Sequence, residues 1–598
     1  MKKVMVGISI FLGFVLSAAT VFAAYHHQDE MDADKFLAIY PDKAGTKLDH
    51  CALCHSGGQY EKKPGVWVSL GSCQWCHYIT DYGRENQNID QTMNPYGIDY
   101  KNHGRNASAI TAIKDIDSDE DTYSNDVEIN ADRYPGDDND DPTKVVAPSR
   151  VYTMAQLEAM TQHAQFLLMN AARQTDGYVE YAGVPVESLL QDAGALPAAT
   201  GITVYAPDGW SNYYPMEPDE DPELYHVSGA YPESTYFYHE EADIALNTAD
   251  GWCDYSAPSC QGRSHGNPIY VSGGLKMIMA FKRDGVYLDP GILNVDNKLD
   301  GEGPYRLVPP QKIVGPPDQG SRAINQDVVW PYDEFACHNK GAATRTATII
   351  KVEPLPPGTT DIDILEAGWA YVDQKKIIVY GAIDGTDSNG NGVLDSEEGT
   401  DPNSDFDGDG IPDFQDTDTA KVRHAEGIEK ICLHTSAGDF VNVEALSDDD
   451  LAVPQTGKPP PRTFPYGTTK FWITGLTAGE SVTVTLVFPG NVPTTAKYYK
   501  IDATNGWHEI PFESNDGDST ITITLTDGDP QTDSDGLQNG TIVDPGALAL
   551  MSSGGSSDTG GGSCFVTTIA HGPVVIPLFA FFSITLGVLL VFRARKRP

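Results

Sequence analysis

The sequence predicts a multidomain protein. In chain order we expect a small α domain, an α+β domain, acidic loop repeats, an antiparallel β-sandwich and a C-terminal transmembrane helix. Three observations support this fold class. The 598 residues are 40% hydrophobic and 21% charged, which is enough apolar content for several cores. The patterning changes from a cysteine-rich segment through mixed periodicity to strict apolar–polar alternation. Both ends of the chain are apolar.

The N-terminal end has the order of a secretory signal. Lys2 and Lys3 precede an apolar run, and small residues end at Ala23. We therefore expect residues 1–23 to be a signal peptide and the mature chain to begin at Ala24. An exported bacterial protein of the periplasm or cell surface is predicted.

The C-terminal end has the features of a membrane anchor. Residues 573–592 form a run of 20 residues without a charge, which is long enough to cross a hydrocarbon core of about 30 Å. A basic cluster that begins at Arg593 follows directly. Because such clusters stay cytoplasmic, everything upstream is expected outside the cytoplasm.

The charge of the chain excludes one class of partner. The formal net charge is -45 and the sequence pI is about 4.4. A surface of this sign repels phosphate backbones, so we expect no nucleic-acid partner.

Two motifs near the N-terminus have the spacing of covalent haem attachment. In each, two cysteines separated by two residues are followed directly by a histidine; the motif residues are Cys51, Cys54, His55, Cys73, Cys76 and His77. In this arrangement the thiols bind the porphyrin and the imidazole ligates iron. We predict two haems c in a small haem-wrapping α domain, residues 24–147. A zinc site or redox-active cysteine pairs are the alternative.

The distal iron ligands are less constrained by the sequence. His26 and His27 follow the cleavage site and are the first choice, while His50, His103 and Met93 are further candidates. The choice matters because a methionine ligand raises the reduction potential relative to histidine.

Three acidic segments have the spacing of EF-hand loops, in which oxygens at positions 1, 3, 5, 7, 9 and 12 surround calcium. Loop 1 (117–128) offers Asp117, Asp119, Asp121, the Tyr123 carbonyl, Asn125 and Glu128. Loop 2 (387–398) offers Asp387, Asn389, Asn391, the Val393 carbonyl, Asp395 and Glu398. Loop 3 (405–416) offers Asp405, Asp407, Asp409, Asp413 and Asp416.

The three loops are not equivalent. Loop 1 has Thr122 at position 6, where glycine normally makes the sharp turn, so we expect it to be the weakest site. Loops 2 and 3 keep the glycine, and their tandem, residues 386–420, resembles thrombospondin type-3 calcium repeats. Two to three structural calcium ions are predicted.

Residues 148–385 have mixed periodicity, which predicts an α+β domain. Met154, Leu157 and Met160 indicate an amphipathic helix that continues to 166–168, and strand-like runs such as 201–206 follow. Residues 178–194 (YVEYAGVPVESLLQDAG), 204–209 (VYAPDG) and 303–309 (GPYRLVP) resemble segments of the sulfite-oxidase-type molybdopterin-binding fold. The resemblance implies a molybdenum-ligating cysteine before the Gly-Val-Pro segment, but residues 169–175 contain none. We expect a relative that has lost the cofactor, and no catalytic residue is assigned.

Residues 421–550 alternate strictly in segments such as 481–487 and 520–525, which predicts an antiparallel β-sandwich. Residues 464–467 (FPYG), 471–476 (FWITGL) and 505–507 (NGW) resemble the choice-of-anchor U domain. A Gly/Ser linker (551–563) and a C-terminal segment that resembles a bacterial sorting signal (564–598) follow. Either the intact helix or a lipidated Cys564 is expected to tether the protein to the membrane.

Four further cysteines leave a question open. Cys253 with Cys260, and Cys337 with Cys432, are possible disulfides in an exported protein, although spacing does not fix the pairing.

These features together predict a membrane-tethered, extracytoplasmic dihaem c-type cytochrome that exchanges electrons with redox partner proteins or other cytochromes. It is expected to be an electron carrier rather than an enzyme. Two alternatives stay open: a redox enzyme whose middle domain feeds the haems, and a surface binding module with structural or sensing haems.

Overall fold

The computed structural model of the chain is rich in β-strands arranged in several sheets, with few and short helices. It describes residues 32–44, 46–49, 52–56, 59–63, 66–69, 93–171, 175–207, 210–218, 225–229, 231, 236–246, 253–293, 299–312, 317, 338–362, 368–460, 462–502 and 506–551. A β-rich structure of several sheets is compatible with the predicted multidomain organisation.

The N-terminal region packs short helices around one core. Its elements are α1 (Asp32–Leu37), α2 (Ala52–His55), β1 (Gln59–Lys63), β2 (Val66–Ser69), α3 (Pro95–Asn102), α4 (Ala107–Ile113) and α5 (Asn125–Asn130). Phe36, Leu53, Tyr96, Ile110 and Ile129 meet in the core. β1 and β2 form an antiparallel hairpin, so the expectation of a purely helical domain was incomplete; alternating valines favour this second strand.

The buried side chain of Asn94 connects α2 to α3. Its amide nitrogen donates to the carbonyls of Leu53 (3.0 Å) and Ser56 (2.8 Å), and its oxygen accepts from the Gly97 amide (2.8 Å), which caps α3. Gly97 permits the close approach, because a Cβ there would lie 2.6 Å from the Cys54 carbonyl oxygen. The hydrogen bonds of Asn94 and the close approach at Gly97 thus fix the position of α2 relative to α3.

The middle domain contains two mixed sheets that share a core. Its strands are β3 (Val145–Val146), β4 (Ser149–Thr153), β5 (His163–Met169), β6 (Asp176–Pro185), β7 (Gly201–Tyr205), β8 (Ser211–Pro215), β9 (Tyr236–Phe237), β10 (Cys253–Asp254), β11 (Pro268–Ile269), β12 (Ile278–Arg283), β13 (Val286–Tyr287), β14 (Ile292–Leu293), β15 (Leu299–Asp300), β16 (Arg306–Val308), β17 (Ile349–Glu353), β18 (Thr359–Thr360) and β19 (Lys376–Gly381). Its helices are α6 (Met154–Ala159), α7 (Val186–Asp192), α8 (Glu240–Leu246) and α9 (Gly368–Asp373).

One sheet has the order β10-β6-β12-β13, with β5 added to β6 and β16 added to β12; the other has the order β4-β19-β17-β7-β8. The β10–β6 and β17–β19 pairs are parallel, and the remaining pairs of these sheets are antiparallel. Tyr178 and Ile278 from the first sheet pack in one cluster with Val204 and Ile350 from the second.

The predicted helix through residues 166–168 was wrong. α6 ends at Ala159, and Phe166, Leu167 and Leu168 lie in β5, where they are all buried. A strand that is buried on both faces shows no alternation, so its apolar run is indistinguishable from part of a helix.

The C-terminal sheets form the predicted antiparallel layers. Short α10 (Asp395–Glu398) precedes β20 (Thr419–Arg423), β21 (Lys430–Thr435), β22 (Asp439–Leu446), β23 (Arg462–Thr463), β24 (Thr468–Thr474), β25 (Ser481–Val487), β26 (Lys497–Asp502), β27 (Gly506–Ile510), β28 (Phe512–Glu513), β29 (Thr520–Thr526) and β30 (Ile542–Met551). The sheets β20-β21-β25-β29-β28 and β22-β24-β30-β26-β27 share one core. In β25, Val482, Val484 and Leu486 point inward, as their alternation predicted.

The sandwich is joined to the middle domain by ionic and polar contacts. Arg423 of β20 makes a bidentate pair with Asp192 of α7, at 2.9 and 3.1 Å. Gln156 donates to the His424 carbonyl at 3.1 Å, and Lys376 pairs with Asp450. The two predicted domains therefore contact each other through specific side chains.

Within the described ranges, no helix is long and apolar enough to cross a membrane. The predicted signal peptide (1–23), the linker beyond Met551 and the predicted membrane span (573–592) lie outside those ranges.

The buried pair Lys500–Asp544 makes a stability prediction. Nζ of Lys500 lies 2.8 Å from Oδ1 of Asp544, and the two side chains are 1% and 0% exposed. Lys500→Met would leave a buried carboxylate without its cation, so we expect the free energy of unfolding of the sandwich to fall by about 3–5 kcal/mol. Denaturant titration followed by tryptophan fluorescence measures the loss.

The matched control is Lys497→Met on the same strand. Its partner Glu509 lies 2.6 Å away, but the two side chains are 42% and 44% exposed. A loss of about 1 kcal/mol or less is expected there. Equal losses in the two variants would contradict the importance of the buried pair.

Candidate metal and haem sites

The first haem motif lies on the one-turn helix α2. Cys54 is half-buried and His55 is 4% exposed, inside the N-terminal core. The turn is fixed by Asn94, whose backbone amide also donates to the Cys54 carbonyl at 2.8 Å. The adjacent Cys54 thiol and shielded His55 imidazole fit the residues that, in a c-type haem site, bind the porphyrin and ligate the iron. Cys51 lies outside the described residues.

A buried phenol lies close to this motif. Tyr96 is almost unexposed, and its hydroxyl has no hydrogen-bond partner among the described residues. Burial, together with the charge of Cys54 as thiolate, raises the pKa of Tyr96 well above its usual value. A buried hydroxyl without a hydrogen-bond partner is unusual, and the position of the Tyr96 hydroxyl near Cys54 is consistent with a haem bound there in the mature protein.

The second motif, Cys73, Cys76 and His77, lies outside the described residues, as do His26, His27 and His50. Two other candidate axial ligands are described. Met93 is buried next to Asn94, beside the first motif. His103 is exposed after α3, and its Nδ1 contacts the Asp99 carbonyl at 2.8 Å. Of the two, Met93 is the side chain shielded from water.

Loop 1 folds as an EF-hand loop does. Carboxylate oxygens of Asp117, Asp119 and Asp121 lie within 4.8 Å of one another. The Thr122 amide donates to Oδ2 of Asp117 at 2.9 Å, and the Tyr123 amide donates to Oδ1 of Asp121 at 2.8 Å. These backbone bonds curl the chain around the three carboxylates.

Five side-chain oxygens of loop 1 have no hydrogen-bond donor among the described residues. Glu128 is unexposed, and neither of its carboxylate oxygens has a hydrogen-bond partner in the described part of the chain; the same holds for Oδ2 of Asp119, Oδ2 of Asp121 and Oδ1 of Asn125. Burial and the charges of Asp119 and Asp121 raise the pKa of Glu128 to about 10, and burial with the charge of Asp121 raises that of Asp119 to about 7. Such a set of hard oxygens fits a divalent cation such as calcium.

Loops 2 and 3 repeat the backbone pattern of loop 1. The Gly392 amide donates to Oδ2 of Asp387, and the Gly410 amide donates to Oδ2 of Asp405, each at 3.0 Å. Both bonds correspond to the one that Thr122 makes in loop 1. The three loops therefore share the turn at position 6 and its contact with position 1.

Loop 2 uses amides where the others use carboxylates. Glu398 accepts from Nδ2 of Asn391 at 2.8 Å and from Nδ2 of Asn389 at 3.2 Å, and burial raises its pKa to about 7. Oδ1 of Asn389 accepts the Asn391 amide, but an amide oxygen has two lone pairs and keeps one for a cation.

In loop 3, oxygens of Asp405, Asp407 and Asp409 lie within 4.8 Å of one another. Asp416 at position 12 is 5% exposed, and its Oδ2 is without a hydrogen-bond partner among the residues described. Burial raises the pKa of Asp416 to about 6, and the charges of Asp418 and Asp407 act in the same direction. This loop, too, gathers carboxylates that a cation would neutralise.

The side chains at position 9 close their loops by contacting position 2. The pairs are Asn125 with Ser118, Asp395 with Ser388, and Asp413 with Phe406. In loop 3, Asp413 also accepts the ammonium of Lys421, so both its oxygens are engaged. Asp395 and Asp413 thus contribute to loop closure, and their role as calcium ligands stays a prediction from the sequence.

The middle domain does not gather its histidines around a common centre. His226 stacks on Tyr231, while His239 and His265 face each other with ring centroids 6.1 Å apart. Cys253, Cys260 and Cys432 are free thiols, so Cys253 and Cys260 do not form the disulfide that the sequence allowed; Cys337 lies outside the described ranges.

Two residues near loop 3 were missed by the sequence analysis. Asp418 and His434 lie with Asp407, and one ligand atom from each falls within 4.8 Å of the others. No local pattern links them, because Asp418 lies outside the loop spacing and His434 is brought back by the β20–β21 hairpin.

Comparison with known proteins adds no relative: no protein-family model matches the chain, and neither the curated proteins nor the solved structures contain a significant match.

Thr122 makes a prediction about loop 1. Its φ of +91° is a conformation that glycine adopts without strain and threonine does not. Thr122→Gly should therefore tighten calcium binding by about fivefold, the equivalent of about 1 kcal/mol. Titration with calcium followed by calorimetry measures it.

Two variants control for this effect. Thr122→Ala keeps a Cβ and should gain nothing. Gly410→Thr imposes the same strain on loop 3, where φ is +97° and a Cβ would meet no described atom within 4 Å, so it should weaken that site. Improvement in the alanine variant would contradict the strain argument.

Loop 1 also predicts proton release on calcium binding. In the calcium-free protein the raised pKa values keep protons on Glu128 and Asp119, and the folded state holds more protons than the unfolded one. Its stability should therefore fall as the pH rises from about 4.5 towards 10. Calcium must displace these protons, so its affinity should rise over the same range.

Calorimetry at pH 7 in buffers of different ionisation enthalpy counts the protons released. We expect about one fewer proton per chain for Glu128→Gln. An unchanged count would show that Glu128 does not exchange its proton for the cation.

Proposed function

We propose that the protein is a membrane-tethered, extracytoplasmic dihaem c-type cytochrome that transfers electrons and whose fold is stabilised by calcium. The observation that carries this proposal is the position of Cys54 and His55. They lie on one helical turn whose imidazole is buried in a core and whose backbone is clamped by Asn94. A CxxCH segment at an exposed, unsupported turn would not favour haem attachment in this way.

Each residue of the proposed haem sites would have a separate role. A haem at this site supplies a centre for one-electron transfer. The Cys51 and Cys54 thiols would hold it covalently, and His55 would ligate the iron from a side shielded from water. Asn94 keeps α2 in register with α3, so the imidazole and the thiol keep their relative positions during oxidation and reduction. Cys73, Cys76 and His77 would hold the second haem.

Calcium in loop 1 would stabilise the same core. Ile113 and Ile129 flank loop 1 and pack in the cluster that contains Leu53 of α2. Tyr40 from the start of the domain donates to Asp126 at 2.8 Å. Because so few residues enclose this core, neutralising its buried carboxylates would contribute a large part of its stability.

Location and partners follow from the ends of the chain and its charge. The predicted signal peptide and the predicted C-terminal helix, or lipidated Cys564, would place the haems outside the cytoplasm on a tether. The net charge of -45 favours redox partners that present basic surfaces, through which electrostatic attraction speeds encounter.

Haem content tests the proposal. The purified full-length chain should give two haems per chain in a pyridine haemochrome spectrum, and both should be reduced and reoxidised reversibly. The double variant Cys51→Ser/Cys54→Ser should lose one haem, whereas Cys432→Ser, a free thiol in the sandwich, should keep both.

Fewer than two haems in the unaltered chain, or no loss in the double variant, would overturn the proposal. Molybdenum found in the same sample by elemental analysis would favour the enzyme alternative. Its absence, with pterin undetected, would exclude that alternative for the middle domain.

A further inference from the structure

We propose that Asp407, Asp418 and His434 form a binding site for a zinc-like transition-metal ion, separate from the calcium of loop 3. Nδ1 of His434 lies 3.3 Å from Oδ1 of Asp418 and 3.8 Å from Oδ2 of Asp407. One ligand atom from each residue lies within 4.8 Å of the other two, and one of the three is an imidazole nitrogen.

The topology brings these residues together from three segments. Asp407 occupies position 3 of loop 3, and Asp418 precedes β20. His434 lies on β21, directly opposite Thr419 in the antiparallel register. The hairpin therefore fixes His434 beside both carboxylates, and the arrangement does not depend on a flexible loop alone.

The spacing suits zinc. With zinc–ligand bonds of about 2.0–2.2 Å in tetrahedral geometry, two ligand atoms lie about 3.4 Å apart. The observed 3.3 and 3.8 Å are close to this value. Calcium needs more ligands and prefers oxygen, whereas imidazole suits zinc and similar ions.

Two further observations point to a missing cation. Nδ1 of His434 is shielded from solvent, yet nothing described in the chain forms a hydrogen bond with it. The two nearby carboxylates are within 4 Å of this nitrogen but are not placed to form a hydrogen bond with it. Asp416 adds a buried carboxylate whose Oδ2 is also unpaired within the described residues. Asp416 is position 12 of loop 3, and the charges of Asp418 and Asp407 act on it, so the zinc site would adjoin the calcium site of loop 3.

Asp407 can serve both ions because its oxygens face different ways. Oδ1 accepts the amide of Asp409 within loop 3, at 3.1 Å, while Oδ2 faces His434. A transition metal here would share a carboxylate with the calcium of loop 3. The loop and the β20–β21 hairpin would then be cross-linked through metal–ligand bonds.

Zinc retention tests this inference in the full-length, haem-loaded chain. The protein is dialysed against micromolar zinc with millimolar calcium, and zinc, calcium and haem are then quantified per chain. His434→Gln and Asp418→Asn should each lose one equivalent of zinc relative to the unaltered chain. Haem content and calcium content should stay unchanged in the Asp418→Asn variant.

His508→Gln is the matched control. Nδ1 of His508 lies 3.1 Å from Oδ2 of Asp502, a comparable histidine–carboxylate contact, but its Nε2 contacts the Gln531 carbonyl. Zinc content should stay the same in this variant. If His434→Gln retains as much zinc as the unaltered chain, or if the unaltered chain retains none, the inference is wrong. Because haem is counted separately, failure here is distinct from failure of the proposed function.

Discussion

Two adjacent residues, Val393 and Leu394, pack into different hydrophobic cores, and the arrangement of the larger part of the chain depends on them. Val393 is buried in the core of the sandwich, and Leu394 packs against the core of the middle domain. Both lie in loop 2, whose backbone must be held in one conformation if both contacts are to form. Asp192 reinforces the same junction through its bidentate pair with Arg423. Loop 2 is therefore a joint between two cores, and calcium there would stabilise the joint.

Each of the three loops contains a buried carboxylate at position 12. A surface carboxylate is solvated by water, but Glu128, Glu398 and Asp416 are buried. Burial raises the pKa of each, so the loops without cations resist ionisation. A divalent cation removes this conflict by supplying the charge that the protein does not. The acidic composition and the fold are thus compatible when the loops are loaded.

A structural feature could be predicted from the sequence when the residues that encode it are close together in the chain. The loop spacing, the glycine turns and the alternation of β25 are each encoded by residues only a few positions apart. The structure has the turns and the strand that these local patterns predict. The strand at 166–168 was missed because burial on both faces removes the period of two. His434 and the Lys500–Asp544 pair were missed because strand register brings them together, and register across a long connection leaves no mark in a local pattern. The contacts between the position-9 side chains and position 2 were not predicted, because spacing shows where an oxygen lies and not what it contacts.

The N-terminal region is attached to the middle domain in a way that bears on the proposed electron transfer. Asp140 is buried and accepts from Lys47 at 2.6 Å, from Arg133 at 3.2 Å and from Thr360 of β18 at 2.8 Å. β18 also pairs in parallel with β3, the strand that directly follows the N-terminal region, so backbone as well as side-chain contacts hold this part of the chain in place. Breaking this junction would leave a buried carboxylate with fewer donors, at a cost of several kcal/mol. The segment that carries Cys54 and His55 is therefore held against the middle domain. A haem bound there would keep a fixed position relative to that domain instead of moving on a flexible linker.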